Sequence, residues 1–235
     1  MTPLVEERIV EIERLCREHE VARLELFGSA ATGEFRPGES DLDFLVSFEP
    51  RPKGSRPAPY FRLAVALQDL FGMDVDLVEE QAISNPYFRQ AVDTGPRTPL
   101  YESPTAPERP PLAAPHPAPE CSPVELRTKK LLYDINQAAG QMSWFTEGKA
   151  LDDYLDDLLL RSAVERQFEI IGEGVSRLGR QDRATLERII GFQEIIRFRN
   201  LIAHEYDRLE NAQVWEIVER DITVLYEETT ALLAE

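Results

Sequence analysis

The chain has 235 residues, 43% of them hydrophobic and 29% charged, enough for one large domain or two small ones with buried cores. Forty-three acidic residues against 26 basic ones give a net charge of −17, which excludes a broad basic face for duplex nucleic acid but not a nucleotide held through a divalent cation. No apolar run approaches the roughly 18 residues of a membrane span, and two cysteines, Cys16 and Cys121, are too few for a disulfide framework or a Cys-based zinc site.

The start, MTPLVEERIVEIERLC, is acidic and amphipathic and lacks the basic opening and apolar stretch of a signal peptide. A cytoplasmic protein without a membrane partner is expected. Val5 to Glu20 places Val5, Ile9, Ile12, Leu15 and Cys16 on one helical stripe. Leu24 to Phe27 reads as a short strand ending at Gly28, and Asp41 to Phe48 as a partly buried strand. Tyr60 to Phe71 reads as a helix. Met73 to Val78 reads as a third strand, with Asp74 and Asp76 on one side and Met73, Val75 and Leu77 on the other. Residues 1–102 therefore read as a small α/β or α+β unit, and with the helical second half the chain is expected to be α+β.

Composition then changes sharply. Residues 103–123, SPTAPERPPLAAPHPAPECSP, are dominated by Pro and Ala and form a linker, because Pro fixes φ and has no amide hydrogen. Beyond it, helical stripes run from Pro123 to Glu147, Tyr154 to Leu178, Ala184 to about His204 and Ala212 to Leu233. Residues 124–235 read as an all-α bundle of four or five helices.

The first constellation lies in LELFGSAATGEFRPGESDLDFLVSF. Gly28 permits close backbone approach to a ligand, and the Ser29 hydroxyl with nearby amides can hold phosphate oxygens. Asp41 and Asp43, two apart on a strand, point to one face, where they repel unless a cation lies between them. Hard carboxylates suit Mg²⁺, which also binds the phosphates of its substrate. Asp76 can add a third carboxylate. Asp74 is the alternative, but Asp76 lies deeper in the apolar run VDLV, where an unpaired charge is costly.

GSAATG followed by SDLD resembles the GSxxxG…SDxD signature of the polymerase-β-like nucleotidyltransferases, and the small size resembles their minimal branch, the MNT antitoxins. The resemblance covers roughly residues 1–102. It implies that Gly28, Ser29 and Ser40 bind the nucleotide, ATP, and that Asp41, Asp43 and Asp76 bind Mg²⁺. Many relatives carry an arginine in the turn where Ala30, Ala31 and Thr32 stand here, so that phosphate contact would come from elsewhere, such as Arg36.

The second constellation is IIRFRNLIAHEYDRLE, which sets Arg199, Asn200, His204 and Tyr206 within eight residues. On a straight helix Asn200 and His204 share a face, while Arg199 lies roughly 140° from His204. A bend, a helix end or a two-copy cleft would unite Arg199 and His204. Chemically, His204 suits general acid–base work near neutral pH and Arg199 suits stabilising charge on phosphorus, as in a metal-free ribonuclease. Upstream, Glu165, Glu169 and Glu173 form an acidic stripe that either faces solvent or lines a cleft opposite Arg199.

RNLIAHEY resembles the Rx4HxY motif of HEPN toxins of the HepT type, over roughly residues 127–233. The resemblance implies an RNA substrate such as tRNA or mRNA, catalysis by Arg199 and His204 with Asn200 in support, and a homodimer with both motifs facing one cleft. It also implies that the nucleotidyltransferase transfers AMP from ATP to Tyr206, silencing the ribonuclease. The 21-residue linker, at about 3.1 Å per extended residue, permits this in cis or across a dimer. Two other readings stand beside it: a non-catalytic nucleotide-sensing dimer, and a transferase acting on a small hydroxylated molecule, against which the Rx4HxY motif argues.

Overall fold

The computed structural model describes residues 2–33, 35–36, 40–50, 59–107, 122–197 and 211–235. The chain divides into two compact units, Met1–Glu120 and Cys121–Glu235, so the division falls within the Pro-rich stretch. Each unit has its own core.

The first unit opens with α1 (Pro3–Glu6) and α2 (Ile9–Glu18). The single helix expected from Val5 to Glu20 is thus interrupted, because Arg8 leaves helical geometry at φ −111° and ψ 10°. The strands β1 (Val21–Phe27), β2 (Leu42–Phe48), β3 (Val75–Glu79) and β4 (Thr98–Glu102) form one sheet in the order β3-β2-β1-β4. The pairs β1–β2 and β1–β4 are antiparallel, and β2–β3 is parallel. A parallel pair needs a crossover, and α4 (Tyr60–Phe71) supplies it. Between β1 and β2 lies one short turn of helix, α3 (Ser29–Thr32). After β3 come a 3-10 turn, Glu80–Ala82, and α5 (Pro86–Thr94).

Strand periodicity divides the side chains between two faces. Leu24, Leu26, Leu42, Phe44, Val46, Val75 and Leu77 are buried in one core with Ile12, Leu15 and Cys16 of α2 and Leu63 and Leu67 of α4. The opposite face carries Phe27, Asp43 and Asp76. Residues 103–107, read from composition as the start of the spacer, close on the sheet instead. The Ser103 amide donates to the Ala22 carbonyl at 2.8 Å, and the Arg23 guanidinium donates to the Pro107 carbonyl.

In the second unit, α6 (Pro123–Thr146) begins at a capping box. Ser122 Oγ accepts from the Glu125 amide at 3.2 Å, and Glu125 Oε2 accepts from the Ser122 amide at 2.7 Å. The stripe expected from Tyr154 to Leu178 is two helices, α7 (Leu151–Asp156) and α8 (Leu158–Gln181). They part at Asp157, whose carboxylate accepts from the Leu159 and Leu160 amides at 2.9 and 3.1 Å. The helix expected from Ala184 onward is also broken. The short α9 (Arg183–Leu186) is followed by Gly191 at φ +72°, then by helical residues 192–197. The last helix is α10 (Asn211–Leu233). Helix α6 packs on both α8 and α10. Where α6 meets α8, a Cβ on Gly174 would lie 2.7 Å from Ile135 Cγ1. Where α6 meets α10, Asn136 Nδ2 reaches the Tyr226 carbonyl at 3.0 Å and the Thr230 hydroxyl at 2.8 Å. Among the described residues, no helix is long and apolar enough to cross a membrane.

Candidate active site

At the end of β1, Gly28 adopts φ +68° and ψ −150°, a region essentially restricted to glycine. Its carbonyl accepts from the Ala31 and Thr32 amides at 3.2 Å, which closes the turn. Space imposes a second requirement, because a Cβ here would lie 2.2 Å from Asp43 Oδ2. The turn and the carboxylate are therefore in direct apposition. Ser29, half-buried, opens α3, and its carbonyl accepts from the Thr32 hydroxyl at 3.1 Å. Ala30 is fully buried beneath.

The carboxylates are set by strand register. Asp43 stands opposite Phe27 on β1 and opposite Asp76 on β3. Directly opposed residues share a face, with Cβ atoms about 5 Å apart. Asp43 is half-buried and Asp76 exposed. Asp41 is exposed and precedes β2 by one residue. Asp74 precedes β3, and its carbonyl accepts from the Leu42 amide at 3.4 Å, so register sets Asp76, not Asp74, beside Asp43. Among the described residues, no three Asp, Glu, His or Cys side chains converge closely enough to hold an ion as they stand. The donor set nonetheless suits a hard divalent cation: two opposed carboxylates on one face, with Asp41 at its entrance. Ser40 folds its own loop, its hydroxyl accepting from the Arg36 amide at 3.2 Å and its amide donating to the Arg36 carbonyl at 3.0 Å. The Arg36 side chain is exposed.

Two neighbours escaped the sequence reading. Tyr60, at the start of α4, donates its hydroxyl to the Leu77 carbonyl, one residue beyond Asp76. Burial raises its pKa, as do the negative charges of Asp76 and Glu79. Phe88 of α5 places its ring 6.2 Å from that of Phe27. The Asn85-Pro86 pair, an N-cap followed by a proline at N1, is the sequence signal that could have revealed α5.

Arg199, Asn200, His204 and Tyr206 lie outside the described residues. The acidic stripe of α8 is described, and its members differ. Glu169 pairs with Arg166 at 2.8 Å and Glu173 with Arg180 at 3.8 Å, both partly exposed. Glu165 has a raised pKa, chiefly from burial, opposed by the charge of Arg161. Beside it Tyr154 is fully buried, and its hydroxyl has no hydrogen-bond partner among the described residues. Its pKa is raised by burial and then by the charge of Glu165.

Comparison with known proteins matches residues 11–94 to the nucleotidyltransferase domain and residues 135–232 to the ribonuclease HepT-like family. A Methanocaldococcus jannaschii protein, provisionally named a protein adenylyltransferase, is 36% identical over 93 residues, covering 36% of this chain and 91% of its own. A Thermococcus cleftensis protein, provisionally named ribonuclease HepT, is 32% identical over 97 residues, covering 41% of this chain and 87% of its own. The chain belongs to both families. Its first unit is a nucleotidyltransferase domain and its second a HepT-like domain. Another M. jannaschii protein, provisionally named an RNase, is 28% identical over 100 residues, covering 43% of this chain and 91% of its own. A crystal structure of a toxin–antitoxin with AMP-PNP is 26% identical and covers 40% of this chain and 73% of that one, with a TM-score of 0.32, too low to inform the fold. The Gly28 turn, Asp41, Asp43 and Asp76 all fall within the matched nucleotidyltransferase segment, and Arg199, His204 and Tyr206 within the HepT-like one.

Proposed function

We propose that this chain is a toxin and its antitoxin in one polypeptide. The nucleotidyltransferase domain transfers AMP from ATP to Tyr206 of the HepT-like domain and thereby silences RNA cleavage by Arg199 and His204. The observation that carries the first half is the parallel register of Asp43 with Asp76 beside the Gly28 turn. Asp41, Asp43 and Asp76 hold Mg²⁺, and Gly28, Ser29 and Ser40 line the nucleotide. The cation supplies charge neutralisation for the phosphates. In the transfer, the Tyr206 phenolic oxygen bonds to the α-phosphorus, pyrophosphate leaves, and the phenolic proton passes to a carboxylate or to solvent. AMP on Tyr206 then places a phosphate beside Arg199 and occupies the guanidinium that RNA would use. In the absence of AMP, His204 acts as the general acid or base, Arg199 stabilises the charged phosphorus and Asn200 supports them. The active assembly is a homodimer through the HepT-like domain.

Intact-mass analysis after incubation with ATP and Mg²⁺ tests this. A gain in AMP units is expected for the wild type, with none for Asp41→Asn/Asp43→Asn or Tyr206→Phe. No gain in the wild type, or a gain unaffected by Tyr206→Phe, rejects the proposal. A second reading, a nucleotide-sensing dimer without turnover, is favoured by the Ala30-Ala31-Thr32 turn, which carries no arginine. ATP binding by calorimetry with neither mass gain nor RNA cleavage would select it.

A further inference from the structure

Across the open end of the sheet, the carboxylates give way to aromatic rings. Asp76 on β3, Asp43 on β2 and Phe27 on β1 lie in one cross-strand row, on the face opposite the helix-covered core. Successive strands are about 4.8 Å apart, so Phe27 is the immediate neighbour of the carboxylate pair. Phe88 of α5 adjoins the row, its ring 6.2 Å from that of Phe27 and inclined at 52°. Its position is fixed locally, since Asn85 Oδ1 accepts from the Phe88 amide at 3.1 Å and from the Tyr87 amide at 3.0 Å. Both residues are half-buried, whereas Leu45, further along the same face, is 2% exposed. The aromatic pair is therefore partly exposed at the end of the sheet where the Gly28 turn and Asp43 meet.

We propose that Phe27 and Phe88 form the platform on which the base of the bound nucleotide rests. This depends on the nucleotide site assigned above. A triphosphate held at the Gly28 turn and the carboxylate row leaves its nucleoside to one side, and on the β1 side that surface is aromatic. Rings stack on any base through its π-face, so the platform recognises that a base is present more than which base it is.

The contrast between Mg·ATP and Mg·tripolyphosphate tests this on the full chain by calorimetry, because only ATP carries a base. Phe88→Ala is expected to weaken Mg·ATP binding about tenfold, the scale of one lost stacking contact, and to leave Mg·tripolyphosphate unchanged. Phe88→Trp is expected to restore ATP binding. If Phe88→Ala does not fold, Phe88→Leu keeps apolar bulk without the π-face and makes the same contrast. Equal loss for both ligands means that the rings only pack the site, and overturns the inference. So does unchanged ATP binding, or failure of Trp to restore it. A wild type that binds neither ligand removes the nucleotide site itself, which is a separate and recognisable failure.

Discussion

At the scale of single residues, Gly28 is constrained twice, by a backbone region that other residues avoid and by Asp43 Oδ2 where a side chain would go. Gly28→Ala is expected to cost about 1–3 kcal/mol of stability from the backbone alone. It should also abolish Mg·ATP binding, because the Asp43 carboxylate must leave the place it holds beside the turn. Thermal melting and calorimetry check the two effects separately, and a variant that binds ATP normally would refute the apposition. Cys16 is a contrasting case, since its thiol is fully buried and burial pushes its pKa up to about 12. Thiolate is the reactive form, so the native protein at pH 8 should leave Cys16 unlabelled by iodoacetamide, with labelling only after denaturation. Peptide mapping of the alkylated protein reads this directly.

At the scale of elements, the corner between α8 and α9 depends on Asp182. Its carboxylate accepts from the Thr185 hydroxyl at 2.7 Å and the Thr185 amide at 3.1 Å, and from the Thr128 hydroxyl of α6 at 3.3 Å. The two Thr185 bonds are the main causes that hold its pKa below the ordinary aspartate value. A pKa depressed on folding stabilises the protein above the unfolded value of about 3.9 and is lost as pH falls through the lower folded value. Melting temperature should therefore fall more steeply in acid for the wild type than for Asp182→Ala. The α6–α8 crossing gives another expectation. Gly174→Ala would press a methyl onto Ile135, and overpacking of about 1–3 kcal/mol outweighs the roughly 1 kcal/mol gained in helix propensity. Denaturant titration should show net loss of stability.

Elements with strong periodicity were legible from the chain, including β2, α4, α6 and most of α8. The breaks were not. Asp157 caps the start of α8, and Gly191, at positive φ, lies in the turn between α9 and residues 192–197; apolar periodicity registers neither. β4 escaped because it is five residues long and contains Pro99, a residue tolerated in an edge strand that signals none. At the site, the GS turn and the Asp pair could be read from spacing. Their apposition to each other, and that of Phe27 to Phe88, depends on strand register and on the placement of α5, which no local pattern encodes.

At the scale of the whole molecule, two separate cores joined by a Pro-rich stretch fix the ratio of the two domains at one to one. If the fused reading holds, expressing residues 122–235 alone should slow growth, and co-expressing residues 1–107 should restore it only with Asp43 intact. Growth curves with an Asp43→Asn control test this, and a harmless HepT-like domain would contradict it. The parallel register of β3 has a further consequence. A slip by one residue would carry Asp76 to the core side of the sheet and turn Val75 and Leu77 to solvent. Correct pairing of that edge strand and assembly of the Asp43–Asp76 pair are thus the same event, so that one hydrogen-bond ladder decides both the sheet's edge and the placement of its charges.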